Sequence, residues 1–151
     1  MNLGKNGLEL IKSFEGFSDK AYPDPATHAE PYTIGYGTTV YPNGSKVKLG
    51  DTCTIEQAEK WLAFEVESKC IPVIQKKVGI PLTQNQLDAC ISFIYNCGAT
   101  NFSNSTLLIL LNASKFDLAA AEFLRWDKAA GKVIAGLTRR REAEKKLFLT
   151  T

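Results

Sequence analysis

Apolar residues recur with helical spacing at the start of the chain. Leu3, Gly7, Leu10, Ile11 and Phe14 fall at i, i+4, i+7, i+8 and i+11, which predicts a helix over residues 3–14. Gly16 is placed to stop it, so Glu15 is expected in the last turn, on the flank of the apolar stripe. From Phe17 to Gly50 the period is lost and glycine, proline, tyrosine and threonine dominate. An Asn43-Gly44 pair between residues 38–41 and 46–47 predicts a small antiparallel sheet with a tight hairpin. Beyond Asp51 the helical signals return. Thr54 with Gln57, and Thr83 with Gln86, have the spacing of capping boxes. The first opens a helix from about residue 55 toward Val78, with Pro72 as a kink or break. The second opens a helix over 84–97, apolar nearly all round with Asp88 its only charge, as a buried core helix would be. Shorter helices are expected near 105–113, 117–126 and 138–148. The order helix, small sheet, helices is that of an α+β protein with two lobes. We expect one domain over 1–151, with a β-rich lobe at about 16–53 and a helical lobe at about 1–15 plus 54–151. The helix from residue 55 to 78 is expected to connect the lobes and back the cleft between them.

Composition narrows this picture. A chain of 151 residues buries roughly 70% of its unfolded surface, so its core needs no metal or disulfide scaffold. The four cysteines, Cys53, Cys70, Cys90 and Cys97, match no zinc ribbon or CxxC spacing, and no metal or cofactor is expected. Cys90 and Cys97 lie seven apart on one expected helix, about 10.5 Å by helix rise, too far to bridge. Buried free thiols are the expectation, with disulfides only if the protein works outside the cell. No segment reaches the ~18 consecutive apolar residues of a spanning helix, so no stable membrane insertion is expected. The first residues lack the apolar core of a secretory signal, so synthesis in the cytoplasm is expected.

A net charge of +2 is too small to argue for nucleic acid. Its distribution says more. From Arg125 to Thr151 there are eight Lys or Arg against Asp127, Glu142 and Glu144, an excess that suits either an anionic polymer or a solvated helix face. Arg139, Arg140 and Arg141 open the last helix, an end where positive charge is unfavourable. At least one should therefore have a carboxylate partner, in an ion pair that holds the fold, with a place near Glu15 as one option.

The candidate chemistry lies in the first quarter of the chain. Cleaving a sugar–sugar bond takes one carboxyl to donate a proton and a second group across the sugar to organise water or charge. Glu15, partly desolvated at a helix end, suits the proton donor. Asp24, in Tyr22-Pro23-Asp24-Pro25, and Thr33, opening Thr33-Ile34-Gly35-Tyr36-Gly37, suit the opposite side. Each has a plain structural reading too: a surface glutamate, a turn aspartate, a strand threonine. Asn96, at the end of the core helix, can cap it or hydrogen-bond an N-acetyl group. Trp61 and Trp126 are expected in the core rather than as sugar platforms.

The stretches Phe14-Glu15-Gly16, Ala21-Tyr22-Pro23-Asp24 and Tyr32-Thr33-Ile34-Gly35-Tyr36-Gly37 resemble the active-site signature of the phage-type lysozymes. These are the endolysins of glycoside hydrolase family 24, to which T-even phage lysozyme is related. The resemblance extends to Ser92 through Ala99, Phe102 through Leu107 and Gly136 through Glu142, and covers almost the whole chain. It implies a two-lobed lysozyme-like fold and a muramidase that hydrolyses the β-1,4 bond between N-acetylmuramic acid and N-acetylglucosamine in bacterial peptidoglycan. It gives Glu15 as the proton donor, Asp24 as the second carboxylate and Thr33 as the hydroxyl that positions water, with a lean toward inversion. Asn96 matches a family position near the cleft.

One departure stands out. The eight residues from Pro25 to Tyr32 exceed the family's usual spacing between aspartate and threonine. Loops absorb such insertions cheaply. The insertion brings His28, the only histidine, and Glu30 to the cleft as plain loop residues or as substrate contacts, and Glu30 as a rival carboxylate. Thr27 is a rival to Thr33 without the Ile-Gly-Tyr-Gly context. The expected setting is a phage endolysin for host lysis, acting as a monomer on the wall after release by a holin. A tail, secretion or toxin apparatus is the alternative means of delivery. Competing readings are a lytic transglycosylase and a peptidoglycan-binding module with lost catalysis.

Overall fold

In the computed structural model, which describes residues 1–151, the opening apolar stripe forms α1 (Lys5–Phe14). Strands β1 (Ser18–Tyr22) and β2 (Thr33–Gly35) follow, then the long α2 (Ile55–Lys77) and α3 (Gln84–Cys97). The remainder is α4 (Ala99–Ser103), α5 (Thr106–Asn112), α6 (Phe116–Glu122), a 3-10 turn at Phe123–Arg125, a short hairpin of β3 (Lys128–Ala129) and β4 (Lys132–Val133), and α7 (Ala135–Phe148). Both sheets are antiparallel and two-stranded, so the expected α+β class holds. No helix is long and apolar enough to cross a membrane.

The chain divides into two compact units, one of Ile11–Glu65 and one of Met1–Leu10 with Val66–Thr151. Within Ile11–Glu65, Ile11, Ile34, Val47, Ala58 and Leu62 form the buried core. Tyr41 packs at a tilt against Trp61 at 4.8 Å between centroids, and its hydroxyl donates to Asp51 Oδ2 at 2.7 Å. Burial and that carboxylate push the Tyr41 phenol up to about 12. The larger unit is built on α3, in which every residue from Leu87 to Ile94 is buried. Phe93 sits edge-on to Phe123 at 5.7 Å, and Phe123 in turn contacts Phe148 of α7 at 5.6 Å. Each such ring contributes about 1.5–3 kcal/mol by leaving water.

Both capping boxes form. The Gln57 and Gln86 amides each donate to their threonine hydroxyl at 3.1 Å, and the glutamine side chains reach back to the threonine N–H. Asp88, the single charge of α3, is fully buried and serves the other end of its unit. Its carboxylate accepts from the N–H groups of Gly4 (2.9 Å) and Gly7 (3.0 Å) and from Gln84 Nε2 (2.8 Å), so it caps α1. Gly7 is glycine because a Cβ there would meet Asp88 Cβ at 2.7 Å. Replacing Asp88 with alanine should lower the unfolding free energy in urea by about 2–3 kcal/mol, since two amides would lose a charged acceptor. A change within experimental error would show that water replaces the carboxylate.

Several expectations are corrected. Helix α1 ends at Phe14, so Glu15 lies one residue beyond it, its N–H closing on Lys12 O at 3.2 Å. Gly16 is outside the helix but does not take the left-handed conformation of a glycine cap. Pro72 neither ends nor interrupts α2. It is exposed, as is Ser68, whose carbonyl loses its helical partner and is left to water. The Asn43-Gly44 turn forms, with Gly44 at φ +89°, but its arms meet only in a Val40–Lys46 bridge. The sheet of this unit pairs 18–22 with 33–35 instead. Helix α4 and the β3–β4 hairpin were not expected.

Candidate active site

Strand pairing brings the two halves of the signature together. Tyr22 pairs with Thr33 and Ser18 with Gly35, so β1 carries two residues more than β2 between these pairs and bulges. The far edge of β1 is covered by residues 51–53, through Ala21 N–H to Asp51 O (3.0 Å) and Cys53 N–H to Asp19 O (2.9 Å). Asp24 therefore leaves the sheet two residues past the partner of Thr33. The long spacing between them leaves the Tyr22–Thr33 pairing in place.

Asp24 also explains how the insertion is accommodated. Its Oδ1 accepts from the N–H groups of Ala26 (2.7 Å) and Thr27 (3.3 Å). Its own N–H donates to Ala29 O at 3.0 Å, and its carbonyl accepts from His28 N–H at 2.7 Å. The Thr27 hydroxyl donates to Glu30 O (3.1 Å) and accepts from Ala29 N–H (3.3 Å). The extra residues thus fold into a loop closed on the aspartate itself. The Thr27 hydroxyl is thus engaged within that loop. Two amides fix the orientation of the Asp24 carboxylate and hold Oδ1, leaving Oδ2 as its open oxygen.

Thr33 is half-buried at the start of β2. After it, Ile34 and Thr38 exchange N–H···O bonds of 2.9 Å in both directions around a glycine turn. Gly35 has φ +65°, and a Cβ on it would meet Ala58 Cβ of α2 at 2.9 Å, so only glycine fits. Tyr36 is buried, stacks on Phe17 at 5.1 Å and lies under Lys12 Nζ at 5.7 Å. Lys12 bridges to Glu59 at 3.4 Å. These contacts tie the end of α1, the turn and α2 together around the segment that carries Glu15. Glu15 itself is half-buried. Glu15, Asp24 and Thr33 all belong to the unit Ile11–Glu65.

The remaining candidates fall elsewhere. His28 and Glu30 are exposed in the inserted loop, His28 at φ +57°. Glu30 lines a cavity of about 250 Å³ whose walls include none of Glu15, Asp24 or Thr33. Asn96 belongs to the larger unit. Its Oδ1 accepts from Arg141 Nη2 at 2.6 Å, so it is held by an arginine instead of capping its helix. With Cys97, Asn101, Trp126, Lys128 and Leu137 it lines a second cavity of about 290 Å³. Trp126 is therefore only partly a core residue: one edge packs on Phe93 at 5.5 Å and the indole faces the cavity.

The partner expected for the arginine run is Glu144. Glu144 and Arg141 are fully buried and Arg140 nearly so. Glu144 Oε1 lies 2.8 Å from Arg141 Nε, and Oε2 accepts from the Ser92 hydroxyl at 2.5 Å. Arg140 Nε lies 3.5 Å from Oε2. Burial pushes the Glu144 carboxyl up, while Arg141, the Ser92 hydroxyl and Arg140 pull it down. Arg141 also donates to Cys97 Sγ and crosses the Phe93 ring at 5.2 Å. Two of the basic residues of the terminal segment are thus internal and do not contribute to a surface field. All four cysteines are free, with Cys70 and Cys90 buried. Burial raises the Cys70 thiol to about 12.

The phage lysozyme family model matches residues 12–144. The chain is 45% identical over 150 residues to an endolysin of Bacillus phage B103, covering 99% of this chain and 55% of that protein. It therefore spans about half the length of that relative. With the endolysin of Salmonella phage P22 it shares 39% identity over 99% of both chains. A crystal structure of a P22 lysozyme mutant superposes with a TM-score of 0.88 at 37% identity, again over 99% of each chain. The expected lysozyme-like fold is thus present, and the chain belongs to the phage lysozyme family.

Proposed function

We propose that residues 1–151 act as one catalytic domain, a muramidase that hydrolyses the β-1,4 bond between N-acetylmuramic acid and N-acetylglucosamine in peptidoglycan, as a phage endolysin. The observation that supports it most is the Tyr22–Thr33 pairing, which sets the hydroxyl beside the strand that delivers Asp24. In this reading Glu15 protonates the departing glycosidic oxygen. Asp24 Oδ2 and the Thr33 hydroxyl hold the attacking water on the other face of the sugar, with Oδ1 already fixed by two amides. The Asn96 carbonyl is occupied by Arg141, which leaves its amide N–H groups to donate to an N-acetyl oxygen. The same reading has the chain act as a monomer and reach the wall through a holin or delivery apparatus.

The test is product analysis on purified peptidoglycan. Hydrolysis leaves reducing N-acetylmuramic acid ends. Anhydro ends in the mass spectrum would instead make the chain a transglycosylase, and binding without cleavage would make it a wall-binding module. Inversion is expected at the new anomeric centre, read by proton NMR of the first products. Thr33→Ala should lower kcat by roughly 10²-fold, as expected for losing one positioned polar group. Thr27→Ala, which loosens only the loop, should cost less than roughly tenfold. Equal losses would mean that the inserted loop supplies the water-holding hydroxyl.

A further inference from the structure

The cavity beside the inserted loop has no part in the reaction proposed above, yet it is built from two fixed walls. One is the loop itself, where the Thr27 hydroxyl holds the Glu30 carbonyl and delivers Glu30, Pro31 and Tyr32 to the cavity. The other is the 39–47 turn, held by Val47 N–H to Thr39 O (3.0 Å) and Tyr41 N–H to Ser45 O (2.8 Å). Asp51 braces its far side, accepting from Tyr41 and from Lys48 N–H. This wall supplies Val40, Lys46 and the buried Val47. The cavity is thus largely apolar within, with an exposed carboxylate from one wall and an exposed ammonium from the other.

An N-acetylated glycan gives such a site little to bind, because its sugars carry no cation for Glu30. A ligand that fits presents an amine and a carboxylate on a short aliphatic frame. Peptidoglycan has one component of that chemistry, the short peptide branch, with free carboxylates and, at its diamino acid, a free amine. The cavity also adjoins the reaction along the chain, since Tyr32 lines it and the next residue is Thr33. We propose that the cavity between the inserted loop and the 39–47 turn is a subsite for the peptide branch of the wall polymer, with Glu30 taking the branch amine and Lys46 a branch carboxylate. This rests on the muramidase reading for its substrate. It makes the insertion a specificity device: the branch holds the glycan in place while the sugars are cleaved.

The test has two arms. In the first, the isolated branch peptide, free of sugar, is titrated into the full chain and followed by amide NMR. Saturable shifts are expected at residues 30–32 and 39–47. Glu30→Gln and Lys46→Gln should each weaken binding about two- to fivefold, the size of one exposed ion pair. Acetylating the branch amine should remove the Glu30 effect and leave the Lys46 effect. In the second arm, turnover of peptide-bearing glycan is compared with glycan stripped of its peptides. Wild type should favour the former, and either substitution should move the ratio toward one through KM. Absence of shifts around the cavity, or equal loss on both substrates, would overturn the proposal. If neither glycan is cleaved, the muramidase reading fails, and the peptide titration still decides whether the cavity takes the branch.

Discussion

Glu15→Gln should lower the turnover of purified peptidoglycan by roughly 10²–10⁴-fold, the share a positioned general acid supplies, with the fold intact. Glutamine keeps the shape of the side chain and its hydrogen-bonding reach but has no proton to give to a leaving alkoxide. The position supports the role. Glu15 lies one residue beyond α1, where the carboxyl end of the helix disfavours negative charge, and it is half-buried. The measurement is release of reducing ends, with circular dichroism and a thermal melt on the same preparations. Asp19→Asn is the control: it removes an exposed carboxylate from β1 of the same unit and should leave turnover near wild type. A Glu15→Gln protein that melts normally and keeps most of its activity would remove Glu15 from the mechanism. Equal loss from Asp19→Asn would point instead to the net charge of the unit.

What could be read from the sequence follows from how far each interaction reaches along the chain. The two capping boxes are settled within four residues, and both form as their spacing predicts. The extent of α3 was equally legible, because a stretch apolar nearly all round between a capping threonine and a glycine leaves few alternatives. The combined order of the three signature residues was enough to mark the phage lysozyme family, although each alone has an ordinary structural reading. The function of Asp88 was not legible. Its partners Gly4 and Gly7 lie more than eighty residues away, and no local pattern announces a buried aspartate as the cap of another helix. Pro72 does not break α2 because the cost of a helical proline depends on whether the freed carbonyl meets water, which only the fold decides. The β3–β4 hairpin turns through Ala130 and Gly131, both at positive φ, where alanine gives no turn signal. The inserted loop shows the same limit from the other side. Its length alone gives no conformation, and Asp24 organises it through four short-range hydrogen bonds.

The second large effect is expected at the buried cluster of α7. Glu144→Gln should lower the unfolding free energy by about 3–5 kcal/mol, the cost of removing one partner from a buried ion pair. That is a substantial part of the roughly 5–15 kcal/mol that holds a domain of this size. Arg140 and Arg141 are both internal, and the Glu144 carboxylate faces the two of them. An amide in its place takes the ion pair from the fully buried Arg141 and removes one charged partner from Arg140. The consequence reaches the 290 Å³ cavity, because Arg141 also holds the Asn96 carbonyl and the Cys97 sulfur on its wall. Urea unfolding separates the two effects. Glu142→Gln, which removes an exposed charge two residues away, should shift stability by less than about 0.5 kcal/mol. Restoring the balance with Glu144→Gln plus Arg140→Met should recover part of the loss, since one buried cation is then gone. If Glu144→Gln costs no more than Glu142→Gln, the cluster is solvated in the working protein, and its arginines are free to turn toward the anionic wall.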